Sequence, residues 1–125
     1  MSEPGTSEVL AFIAGSFRSA WALELLCLLH SAPDRTWHRD ALVSQLRASE
    51  LVVRQGIEAL AAVGLVAPAE DGSVRYAAPP SLEPMVVAVA HLYRTAPDTV
   101  RRAIVRGNSR SMTAFANAFR LRSED

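Results

Sequence analysis

Residues 35–78 read RTWHRDALVSQLRASELVVRQGIEALAAVGLVAPAEDGSVRYAA, and the order of elements in this stretch decides the fold. Arg35-Thr36-Trp37 is a short extended run of β-favouring residues. His38 to Arg47 predicts a helix with Leu42 and Leu46 turned inward. Ala48-Ser49 breaks it, and Ser49 is suited to cap the helix that follows. That helix, Glu50 to Val63, places Val53, Ile57 and Leu60 on one stripe and stops at Gly64, where a left-handed residue ends helices readily. Leu65-Val66-Ala67 and Val74-Arg75-Tyr76-Ala77 then flank the turn Glu70-Asp71-Gly72-Ser73, which predicts a β-hairpin closed off by Pro79-Pro80.

Outward from this stretch the pattern is helical. Ser7 to Gly15 predicts a short first helix bearing Val9, Leu10, Phe12 and Ile13. Phe17 to His30 predicts a second, with Phe17, Trp21, Leu25, Leu28 and Leu29 at core-facing spacing and a stop at Pro33. Leu82 to Tyr93 is apolar almost all round, which calls for burial on several sides and suggests a dimer contact. Pro97 suits the first turn of a further helix to about Arg106, stopped by Gly107-Asn108. A last helix, Ser109 to Arg122, carries Met112, Phe115, Ala116 and Phe119 on one face, expected to fold back on Leu82–Tyr93.

The sequence therefore predicts a mainly α chain with a small β-hairpin. Its parts are an N-terminal helix (1–16), a central unit (17–80) and a C-terminal helical arm (81–125), packed as one compact domain. With 125 residues, half of them apolar, the chain can bury a core without disulfides or metal. Cys27 is its single cysteine, as expected in a reducing cytoplasm. No basic leader segment precedes the first helix, and the longest uncharged run, 11 residues from Ala59 to Ala69, is too short to cross a bilayer, so no membrane partner is expected.

Neutral overall, with 13 basic and 13 acidic residues, the chain is uneven along its length, and every basic residue is arginine. Residues 1–90 carry six arginines and ten acids, whereas residues 91–125 carry seven arginines and three acids. A basic C-terminal arm of this kind suits phosphate or an acidic partner.

The run from Trp37 to Leu46 resembles the first helix of a winged helix-turn-helix motif. Ser49 to Val66, with Gly64-Leu65-Val66 at its end, resembles the recognition helix passing into the wing, and Asp71-Gly72 falls at the wing tip. The resemblance is to regulators of the MarR/ArsR type and covers about half the chain. It implies a homodimeric DNA-binding transcriptional regulator whose recognition helix enters the major groove of duplex DNA. Carried onto this chain, it puts Ser49, Arg54 and Gln55 at base edges, Arg suiting guanine and Gln adenine. Arg39, Arg47 and Arg75 would hold phosphates.

Within the motif, Leu51 and Val52 are apolar where DNA readers usually carry polar side chains, and Asp34 to Ala78 holds five arginines against six acids. These features support an alternative, a regulatory adaptor that binds a protein partner through Leu51 and Val52, with Phe115 and Phe119 as further contacts. Cys27 and His30 share a helical face, but the paired-cysteine ligand patterns of metal sensors are missing, so no metal is expected. Trp21 and Trp37 are expected to pack in the core. No glycine-rich phosphate loop, nucleophile elbow or His-Glu-x-x-His is present, so neither an enzyme nor a cofactor is expected.

Overall fold

The computed structural model describes residues 4–109. The expected helix from Ser109 to Arg122, and with it Phe115 and Phe119, lies outside the described residues except for Ser109 itself.

The described chain is mainly helical, with a small three-stranded antiparallel sheet. Helix α1 (Thr6–Ser16) and α2 (Ala20–Ser31) precede β1 (Thr36–Trp37). Then come α3 (Arg39–Leu46), α4 (Glu50–Ala62), β2 (Val66–Pro68), β3 (Val74–Tyr76) and α5 (Glu83–Thr95). A sixth helix, α6, covers 97–109. None of these helices alone is long and apolar enough to cross a membrane.

Helix α4 forms for the reasons its sequence gives. Ser49 caps it, its hydroxyl accepting the Val52 N–H at 3.2 Å, and Val53, Ile57 and Leu60 are buried along one stripe. The helix packs on α2 where Gly56 stands: a Cβ added there would lie 3.2 Å from Leu25 Cδ2. Between α3 and α4 the chain turns through Arg47, left-handed at φ 54°, and after α4 it turns again through Gly64 at φ +79°.

In the sheet the order is β1-β3-β2, with β3 central. Thr36 pairs with Arg75 and Trp37 with Val74, while Val66, Ala67 and Pro68 pair with Tyr76, Arg75 and Val74. Alternation along β3 sends Arg75 to solvent and turns Val74 and Tyr76 inward, onto a core that Trp37, Leu42, Leu60 and Leu65 share.

Three expectations are corrected. Phe17 does not begin α2; it is the C-cap of α1, and its N–H bonds back to the Ile13 carbonyl while Ser19 caps α2. Trp21 is 40% exposed and so is not a core residue, whereas Trp37 is buried as expected. Gly107-Asn108 does not stop α6, which continues through both. Gly107 is buried against the Ala14 backbone of α1, and the Asn108 side-chain amide donates to the Arg18 carbonyl at 2.8 Å. This glycine serves a close helix approach, which local sequence cannot distinguish from a stop.

Candidate nucleic-acid interface

The residues expected at base edges stand on the solvent side of α4. Arg54 and Gln55 are exposed neighbours, with Glu50 and Glu58 exposed one turn before and one turn after Arg54. Neither acid ties down the Arg54 guanidinium: among the described residues the only ion pairs are His30–Glu83 and Arg101–Asp98. Ser49 is also exposed; its hydroxyl already accepts the Val52 N–H, which leaves its O–H donor and one further lone pair for a base. Leu51 is 51% exposed on the same helix, while Val52 is half-buried.

The expected phosphate-binding arginines are spread over three elements. Arg75 is exposed at the centre of the sheet, flanked in register by Thr36 and Ala67. Arg47 is exposed in the α3–α4 turn. Arg39, in the first turn of α3, is half-buried, and its Nε has no hydrogen-bond partner. Sequence reasoning missed Arg35, whose guanidinium lies 3.6 Å from the centroid of the Trp37 ring. The signal was present: residues two apart in an extended run such as Arg35-Thr36-Trp37 share a face, and a guanidinium stacks well on indole.

The hairpin tip carries fixed negative charge. Asp71 accepts from both the hydroxyl and the amide of Ser73, and these bonds hold its carboxyl below the usual range. With exposed Glu70 beside it, the tip repels phosphate, so the hairpin offers an anion Arg75 and not its end.

A second cluster joins α2, β3 and α5. His30 Nε2 lies 2.9 Å from Glu83 Oε1, the Tyr76 hydroxyl donates to Glu83 Oε2, and the His30 and Tyr76 rings meet edge to face at 5.2 Å. The Tyr76 bond chiefly, and His30 after it, hold the Glu83 carboxyl below its ordinary value of 4.5. Burial and the neighbouring Glu83 push the Tyr76 hydroxyl upward. An acid whose value is depressed by folding contributes stability above its unfolded value and loses it as pH falls through the folded one. Acidification from about pH 5 to pH 3 should therefore destabilise the parent chain more than Glu83→Gln, with urea midpoints at each pH as the measurement. Equal losses in both chains would show that the clamp is not coupled to folding.

Cys27 sits one turn before His30, but burial pushes its thiol up to about 11, and a protonated thiol is a poor ligand. Among the described residues no group of three or more His, Cys, Asp or Glu is placed to hold a metal ion.

No protein-family model matches the chain, and neither curated proteins nor solved structures include one similar enough to count as a relative.

Proposed function

We propose that the chain is a winged helix-turn-helix regulator that binds duplex DNA as a homodimer, with α4 in the major groove. The element order is what this reading needs: a strand, two helices joined by a tight turn, then a hairpin whose inner strand pairs with the first strand. The observation that carries it is the side-by-side exposure of Arg54 and Gln55 on α4, free of ion pairs among the described residues. A guanidinium presents two donors to guanine, and a carboxamide presents a donor and an acceptor to adenine. Arg47, Arg75 and the partly buried Arg39 supply phosphate contacts around that helix.

A second reading rests on Leu51. A leucine half exposed at the start of a surface helix, framed by Glu50 and Arg54, suits a protein partner better than a groove. On this reading the same scaffold is a regulatory adaptor.

Duplex from upstream of the chain's own gene, titrated at several salt concentrations, separates the two. The DNA reading expects affinity to fall linearly on log–log axes, by roughly 0.9 per phosphate contacted. Arg54→Ala should cost about 1–3 kcal/mol on the preferred site and little on random duplex. Undetectable binding at low salt would overturn the DNA reading and leave the Leu51 face as a protein contact.

A further inference from the structure

A pocket of about 490 Å³ opens where α2, α5 and the start of α6 meet, on elements that carry none of the residues assigned to DNA. Space of this size suits a small organic molecule. Cys27, Ala90 and Pro97 line it with short side chains, and Tyr93 adds an aromatic wall. Arg94 and Arg101, both exposed, complete the lining.

Three acids adjoin these walls, and each already has a partner. Glu83 is held by His30 and Tyr76, Glu24 accepts the Tyr93 hydroxyl at 2.8 Å, and Asp98 pairs with Arg101 at 3.3 Å. The Arg94 guanidinium, in the last turn of α5, has neither a carboxylate nor a hydrogen-bond partner among the described residues. Its charge is nevertheless felt inside the pocket. Burial and then Glu24 raise the Cys27 thiol, and Arg94 pulls it down. We propose that this pocket binds a small organic anion, a flat apolar body bearing one carboxylate, with Arg94 as its anchor.

The chemistry of the walls selects that ligand. A guanidinium meets a carboxylate with two parallel N–H donors, and Arg101 has donors left after its single bond to Asp98. One unpartnered guanidinium balances one negative charge. A dianion such as a phosphate monoester would bring a second charge into the reach of Glu24, which repels it. The apolar lining and the Tyr93 ring reward a flat hydrocarbon body over a sugar. The site uses no residue of α4, so it stands or falls apart from the DNA reading.

Cys27 is the chain's single cysteine and lines the pocket, so its alkylation reads the site directly. Iodoacetate and iodoacetamide both react with the thiolate, which displaces iodide. The ratio of their rates therefore cancels the thiolate fraction and reports the charge of the surroundings. In the folded chain this acid-to-amide ratio should be about tenfold higher than in the same chain unfolded in urea, the scale of a charge-assisted hydrogen bond. Arg94→Gln should bring it back to the unfolded value, and Arg94→Lys, which keeps the charge, should retain most of it. Naphthoate should protect Cys27 from both reagents and saturate by about 10 mM, since a ligand of that size at ordinary efficiency binds near 1 mM. Naphthamide, of the same shape without the charge, should protect about tenfold more weakly. Three outcomes would each overturn the proposal: a folded ratio no higher than the unfolded one, a ratio that Arg94→Gln leaves unchanged, or protection by the acid no better than by the amide.

Discussion

Gly107→Ala should lower the thermal midpoint by about 8 °C, against the usual sign for such a change. In a helix interior alanine is favoured over glycine by about 1 kcal/mol. Here an added Cβ would lie 2.2 Å from the Ala14 carbonyl oxygen and 2.9 Å from its carbon. Those are backbone atoms of α1, which cannot swing aside as a side-chain tip can. Helix α6 must lift from α1, and overpacking of this kind costs about 1–3 kcal/mol. The lift also strains the bond from Asn108 to the Arg18 carbonyl, worth about 1 kcal/mol. The net loss is about 2 kcal/mol, at roughly 4 °C per kcal/mol for a chain of this length. Gly15→Ala supplies the matched comparison, because Gly15 is also helical and a Cβ there meets nothing within 4 Å. It should stabilise by up to about 1 kcal/mol. If both variants shift the midpoint the same way, α6 does not rest on α1 at this point.

Phe17→Ala should cost more, about 3–5 kcal/mol, a large share of the 5–15 kcal/mol that holds a typical domain together. Phe17 is 1% exposed at the corner where α1 hands over to α2, and its extended backbone closes α1 by bonding to Ile13. Its ring meets that of Phe12 edge to face, with centroids 6.0 Å apart. The neighbouring residue Arg18 receives Asn108, so three helices converge on this corner. Truncating the ring leaves a cavity that two helix ends and a bonded turn cannot easily collapse to fill. Urea unfolding should show a lower midpoint with an unchanged slope. Phe12→Ala, at a half-buried position, should lose about half as much. A loss below about 1 kcal/mol for Phe17→Ala would show that this corner does not organise the core.

Both residues were misread from the sequence, whereas the elements with local signals were not. Helix α4 was legible end to end because its signals are local: a serine cap, a stripe at 53, 57 and 60, and a glycine stop. The hairpin was legible from Asp71-Gly72, which stand at its turn with Gly72 at φ +86°. Gly107 was misread because a glycine that ends a helix and one that admits a neighbouring backbone look alike until the neighbour is known. The exposure of Trp21 was missed for a related reason: helical spacing fixes which residues share a face, but tertiary packing decides how far the buried face extends. At the candidate interface, Arg54, Gln55 and Arg75 fell on exposed faces as expected, since the periodicity of α4 and β3 places them there. The clamp of His30, Tyr76 and Glu83 was invisible, because His30 and Glu83 are 53 residues apart and neither has a local pattern that announces the other.

The order of strands in the sheet carries a consequence for the route by which the chain folds. β2 and β3 are joined by a five-residue connection closed by Asp71 and Ser73, so their pairing needs little loop closure and can form in microseconds. β1 pairs with the far side of β3 across the 36 residues from 38 to 73, which include α3, α4 and β2. Two residues of pairing cannot offset the entropy of closing so long a loop on an unformed chain. β1 therefore docks only once α3 and α4 have condensed and shortened the path. The burial of Trp37 should follow the pairing of the hairpin, and its indole should report a slower step than β2–β3 closure.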